Sequence, residues 1–280
     1  MKKIGYHDAD TYEFYKKYGF AIFRNVFTPD EVKQLRQGLV ESFSQKSSYP
    51  DDWDNKELLT SVRFDFFNRY KDFRWVLFKQ GITDALNTVL GKPHFILTES
   101  VAHYEGFGAW HKDTTTQEKM GERFHYDEDF NMIECGIYLQ DNDPVYGGGL
   151  DIVPFSHLDK SDPFVPVSGK GKLSGLMNRI KNYTSQKNAT KNGVQLETKA
   201  GDFVVFNKKA THRASPCNVP SKPKEMEKYA IFFLAGSDNV HVKLYTNFIK
   251  KRYDYMKDYK LDEGYRQACE EKGVKLVLPD

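Results

Sequence analysis

A histidine and an aspartate stand two positions apart in the stretch GAWHKDT, as His111 and Asp113. On a strand, residues i and i+2 share one face. A His-x-Asp at a strand end therefore aims an imidazole and a carboxylate at the same point. One more histidine from a neighbouring strand completes a two-histidine, one-carboxylate set, the ligand face of non-haem ferrous sites. The chemical use of that face is what it leaves open: two positions for a bidentate co-substrate and one for dioxygen. Spacing does not single out a pair, however. His103-x-Glu105, His111-x-Asp113, His125-x-Asp127 and His157-x-Asp159 all fit it. For any one of them alone, a histidine near an acid at the surface or core edge is the commoner outcome.

Such side chains need strands to carry them. From residue 94 the runs HFILTESVAHY, MIECGIYLQD, GLDIVPF, GVQLETKAGDFVVFN and KYAIFFLAG are rich in branched and aromatic residues and are separated by Gly, Asp, Asn and Pro clusters. They read as a β body, for which a cupin-like double-sheet jelly roll is a natural closed solution. Before it lies a helical part. Residues 8–18 read as a short helix, GFAIFRNVF alternates like a strand, and TPDE opens a helix with Thr28 as N-cap, Pro29 at its first position and Glu31 closing a capping box. Val32, Leu35, Leu39 and Phe43 space the apolar face of that helix. Residues 64–78, dense in aromatics, read as a second helix or a lid. ITDALNTVLG reads as a third helix stopped by Gly91.

Residues 160–199 read as an insertion with eight basic and two acidic residues. A short amphipathic turn is expected within it at Leu176, Met177 and Ile180. Its cations, Lys170, Lys172, Arg179 and Lys181 among them, could attract an anionic substrate, although charge runs are usually solvated faces. The last thirty residues are helical in texture. Gly147, Gly148 and Gly149 lack the surroundings of a phosphate loop and read as a tight turn between sheets.

The order of these segments carries a resemblance. GAWHKDT, then ECGIYLQDNDPVYGGGLDIVPFSH, then AGDFVVFNKKATHRASPCN, then KYAIFF resembles the phytanoyl-CoA dioxygenase family of Fe(II)- and 2-oxoglutarate-dependent oxygenases. The likeness runs from about residue 95 to 235, and YGFAIFRNVFTPDEVKQLR resembles the family's opening. It implies one oxygenase domain over 1–280, mainly β with flanking helices. A helical part (1–93) and a C-terminal helical extension (237–280) would flank a double-stranded β-helix core (94–236).

By position it implies His111, Asp113 and His212 as iron ligands. His125-x-Asp127 is the rival pair, His157 falls in a structural turn, and His103 serves as core or pocket wall. It implies Lys228 as the cation for the far carboxylate of 2-oxoglutarate, where the family usually has arginine. Arg213 is the fallback and Tyr104 an additional hydroxyl. With Asp113 filling the position where related halogenases bind halide, hydroxylation or desaturation is the implied outcome. Two other readings stay open: a cupin-like metal- or ligand-binding module without oxygenase activity, and an O2-independent metal-dependent hydrolase or isomerase.

Composition excludes some classes. With a net charge of +2, no global field favours nucleic acid. No apolar run approaches the ~20 residues of a membrane helix, and MKKIGYHDADTYEF has no secretory-type apolar stretch. Three widely spaced cysteines make neither a disulfide framework nor a thiolate zinc site. A small-molecule substrate, O2 as co-reactant and a cytoplasmic setting are the expectations.

Overall fold

In the computed structural model residues 11–45, 59–106, 108–169, 171–253, 256 and 259–280 are described, Lys172 by its backbone only. The strands are β1 (Phe20–Phe23), β2 (Val62–Phe64), β3 (His94–Tyr104), β4 (Met132–Tyr138), β5 (Leu150–Ile152), β6 (Val194–Gln195), β7 (Phe203–Asn207), β8 (His212–Ala214), β9 (Tyr229–Ser237) and β10 (Leu276–Val277). The helices are α1 (Thr11–Tyr18), α2 (Pro29–Ser44), α3 (Phe66–Arg69), α4 (Gln80–Leu90), α5 (Thr114–Lys119), α6 (Lys172–Asn192), α7 (Val240–Arg252) and α8 (Glu263–Glu271).

Two sheets result. The larger runs β1-β7-β4-β9-β3-β10, with β2 also paired to β3; the smaller runs β6-β5-β8. Pairing is antiparallel except between β3 and β10. Period-two alternation divides the core, as β7 illustrates. Phe203 and Val205 face a cluster that includes Leu35 and Leu39 of α2 and Ile82 and Leu86 of α4. Val204 and Phe206 face the other way, onto Leu150 and Ile152 of the small sheet. Helices therefore cover one face of the large sheet and the small sheet covers part of the other, the mainly β, cupin-like jelly-roll architecture expected.

Local chemistry explains the ends of α2 and α4 most plainly. Thr28 caps α2 and forms the full capping box with Glu31. Gly91 ends α4 at a φ of 77°, in the left-handed half that favours glycine. Two expectations need correction. The aromatic stretch 64–78 is no single helix: it splits into α3 and a 3-10 run, Lys71–Phe78, and buries Phe66, Phe67, Phe73, Val76 and Leu77 in the core. The insertion carries a 21-residue helix, α6, where a short turn was expected. Residues 8–10, Phe107 and Lys170 lie outside the described residues. Among the described residues no helix is long and apolar enough to cross a membrane.

Asn142 ties the small sheet to the chain entering it. Its amide donates to the Leu196 carbonyl (2.8 Å) and the Ser215 hydroxyl (3.0 Å), while its oxygen accepts from Gly149 N and Gln195 Nε2, each at 3.0 Å. The turn that follows it passes through Gly147 at a φ of 66°, where a Cβ would lie 2.3 Å from the Ser215 carbonyl. Asn142→Ala strands buried partners on three segments. It should cost about 3 kcal/mol in a urea unfolding titration, whereas substitution of the exposed Asn218 should be nearly neutral.

Candidate metal centre

Two ligand candidates from distant parts of the chain meet through their backbones. His111 N donates to the His212 carbonyl (3.0 Å) and His212 N to the His111 carbonyl (2.9 Å), an isolated antiparallel bridge between the ligand turn and the start of β8. Residues paired this way project side chains to the same side, and the two imidazole centroids lie 4.4 Å apart. Each Nδ1 contacts a carbonyl two residues back: His111 to Ala109 at 2.9 Å, His212 to Ala210 at 3.0 Å. A carbonyl only accepts, so Nδ1 carries the proton in both rings and Nε2 presents its lone pair.

Both Nε2 atoms turn to the same carboxylate oxygen, Asp113 Oδ1, at 3.7 Å each. Among the described residues this trio forms the one group of three or more His, Cys, Asp or Glu arranged to share a metal ion, with ligand atoms within 4.8 Å of one another. Asp113 directly precedes α5, where an aspartate ordinarily caps, yet its side chain makes no capping bond. Its carboxylate faces the two imidazoles instead. Three electron-rich atoms with no proton between them suit a divalent cation with open positions.

Burial and charge prepare the group. Burial draws the His212 imidazole down to about 4, against the pull of Asp113, so the ring is neutral near pH 7. Burial alone would raise the Asp113 carboxyl, but Lys208, His212 and His111 outweigh it and hold it well below the usual range. Lys208, 3% exposed, sends its ammonium to Asp113 (3.3 Å) and Glu134 (2.9 Å). Burial, with Asp113 and Glu99 nearby, pushes the Glu134 carboxyl up to about 8 even though Lys208 opposes it.

The long helix of the insertion braces the turn. Gln186 of α6 accepts from Trp110 N (3.0 Å) and donates to the Trp110 carbonyl (2.7 Å), while the indole N–H donates to Thr190 (3.1 Å). The ring lies against Gly193, where a Cβ would stand 2.3 Å from it. The residue before His111 is thus clamped on three sides.

The centre borders a pocket of about 450 Å³ whose lining includes His111, Asp113, His212 and Lys228. The Lys228 ammonium is buried, 3.3 Å from the Gly106 carbonyl. Arg213 is turned away: it pairs with Asp151 at 2.9 Å and lies over the Trp110 ring. Tyr104 also stands apart. His103 faces the pocket, so its neighbour on β3 faces the opposite side, and Tyr104 packs on Phe43 and Tyr229 in the helix-side core. A Tyr104 hydroxyl at the co-substrate is not compatible with that placement.

His125 is buried 3.8 Å from Glu118 and does not join the trio. His157 Nε2 is 2.9 Å from the Lys16 carbonyl, holding a turn. His103 is a pocket wall against Phe232. The sequence reading missed Lys208, Glu134, Glu99, Arg252 and Gln186. Of these, only Glu99 carried a signal, since it continues the i, i+2, i+4 face with Val101 and His103.

Comparison with known proteins agrees with this architecture. The family model described as phytanoyl-CoA dioxygenase (PhyH) matches residues 15–222. No curated protein matches the chain. Among solved structures, EctD from S. alaskensis, with 2-oxoglutarate and 5-hydroxyectoine, is 16% identical at a TM-score of 0.64, covering 97% of this chain and 88% of its own. HygX from Streptomyces hygroscopicus, with nickel and 2-oxoglutarate bound, is 12% identical at 0.57, covering 83% and 88%. The non-heme alpha ketoglutarate dependent carbocyclase SnoK from nogalamycin biosynthesis is 16% identical at 0.54, covering 84% and 90%. At these identities the likeness is one of fold.

The α6 clamp is separable from the ligands themselves. Gln186→Ala should leave the thermal unfolding midpoint within a few degrees of the parent. It should weaken Fe(II) binding, measured by anaerobic competition with a chelating dye, by about tenfold.

Proposed function

We propose that this chain, which belongs to the phytanoyl-CoA dioxygenase family, is an Fe(II)- and 2-oxoglutarate-dependent dioxygenase that hydroxylates an unactivated C–H bond of a small molecule. The observation that carries this reading is the pair of imidazole Nε2 atoms turned on one carboxylate oxygen at the edge of a pocket. Support for the co-substrate comes from EctD and HygX, both solved with 2-oxoglutarate.

His111, Asp113 and His212 would hold the ion. When bound, it would supply dioxygen activation, coupled to decarboxylation of 2-oxoglutarate to succinate. The chain's own residues do the positioning. The two Nδ1–H bonds to Ala109 and Ala210 keep both imidazoles in the ligating tautomer. Lys208 supplies the positive charge that keeps Asp113 ionised.

Lys228 would receive the far carboxylate of 2-oxoglutarate. It acts as a point charge rather than a planar fork, and a buried cation gains from an anionic partner. A pocket of about 450 Å³ that takes both co-substrate and substrate implies a small substrate. Related enzymes of this fold include an epimerase and a carbocyclase, so the oxidative outcome depends on what the pocket holds.

Anaerobic protein loaded with Fe(II) should develop the visible charge-transfer absorption of a bound 2-oxoglutarate chelate, then release succinate when oxygen is admitted. His111→Ala, Asp113→Ala and His212→Ala should each abolish both signals, and unchanged signals would reject these ligands. Absorption without succinate release would favour the binding module, and turnover in the absence of O2 the hydrolase or isomerase.

The pH dependence of co-substrate binding follows from Lys228. Burial draws its ammonium down to about 8, with Glu105 opposing and Lys222 adding to the fall. The cationic form is the one that binds a carboxylate. Affinity for 2-oxoglutarate should therefore be full below about pH 8 and fall above it, approaching about tenfold per pH unit. Lys228→Met should weaken binding and flatten that dependence in an anaerobic absorption titration.

A further inference from the structure

One end of the pocket holds charges that neither the metal centre nor the co-substrate engages. Glu99, Val101 and His103 line it in alternation along β3. Lys228 stands at the far end of that strand, where its carbonyl accepts from Glu105 N at 2.8 Å. Glu99 lies about 13 Å back along the strand from His103. The end of α7 also borders the pocket, which its last residue, Arg252, lines.

Glu99 and Arg252 carry opposite charges, yet they do not pair with each other. Glu99 Oε2 accepts from the Tyr245 hydroxyl at 3.2 Å, and Oε1 has no hydrogen-bond partner among the described residues. The Arg252 guanidinium rests on the Tyr253 ring at 4.6 Å and has no hydrogen bond or ion pair among the described residues. The neighbouring cation cannot serve either, because Lys208 is held between Asp113 and Glu134. Among the described residues, a half-buried guanidinium with no hydrogen-bond acceptor and a half-buried carboxylate with one unpartnered oxygen thus face one cavity. The two charges feel each other only through space; an anion alone would engage Arg252 and not Glu99, and a cation alone Glu99 and not Arg252, whereas a guest with both charges gives each a direct partner.

We propose that the substrate is dipolar, a small molecule with both an ammonium and a carboxylate, the ammonium seated at Glu99 and the carboxylate at Arg252. This rests on the dioxygenase reading for the word substrate, but the seat itself belongs to these two residues. A purely anionic substrate drawn in by the basic α6 segment fits the pocket less well.

The test uses three probes of equal chain length, δ-aminovalerate, valerate and pentylamine. They are titrated calorimetrically into anaerobic protein carrying Fe(II) and 2-oxoglutarate. The dipolar probe should bind at least about tenfold more tightly than either singly charged one. Arg252→Gln should bring δ-aminovalerate down to the affinity of pentylamine, and Glu99→Gln down to that of valerate. Arg252→Lys should recover part of the loss, with unfolding midpoints unchanged throughout.

Equal binding of the three probes, binding of none, or variants that weaken all three alike would overturn the proposal. Should the parent protein fail to develop the 2-oxoglutarate absorption, the dioxygenase reading fails instead. The same probe series on metal-free protein then decides the dipolar seat by itself.

Discussion

Two backbone hydrogen bonds between His111 and His212 are the constraint on which the site depends. They join a turn before α5 to the first residue of β8 across a hundred residues of chain, and they fix the relative height and direction of the two imidazoles. Everything nearby serves that junction. The small sheet fixes β8 through β5, with Ile152 opposite His212. Asn142 anchors that sheet, and α6 grips Trp110 just ahead of His111. Carbonyls two residues back on each side set the ring tautomers, so the imidazoles are oriented by main chain, while side chains, Lys208 at Asp113 and Gln186 at Trp110, support the carboxylate and the turn.

Electrostatics complete what the backbone begins. Burial by itself would favour a protonated Asp113. Lys208 reverses that balance, while Glu134 shares the lysine and tends toward its neutral form. The chain thus holds its aspartate ionised before any ion arrives. A separate buried ammonium, Lys228, waits at the other side of the pocket, where a free one would be costly without an anion to meet it.

Much of this was legible beforehand, for physical reasons. Strands β3, β4 and β9 are long, branched and aromatic, and the start of α2 is written out by Thr28, Pro29 and Glu31. The order of segments around His111, Asp113 and His212 pointed to the trio that the structure brings together. Strict alternation would have excluded Tyr104, because it cannot share a face with His103. Strands β2, β8 and β10 span only two or three residues and leave no periodic trace. Helix α6 was underestimated because its exposed surface mixes Leu173, Leu176 and Ile180 with polar residues and Gly175, so its apolar period is weak. Lys208, Glu134 and Arg252 come together only through tertiary pairing, for which no local pattern exists.

The most direct measurement is an anomalous difference map at the iron edge, from crystals grown anaerobically with Fe(II). One peak is expected within bonding distance of His111 Nε2, His212 Nε2 and an Asp113 oxygen, with the pocket side of the ion open to ligands. A peak beside His125 and Glu118, or iron taken up with no peak at the His111–His212 bridge, would contradict it.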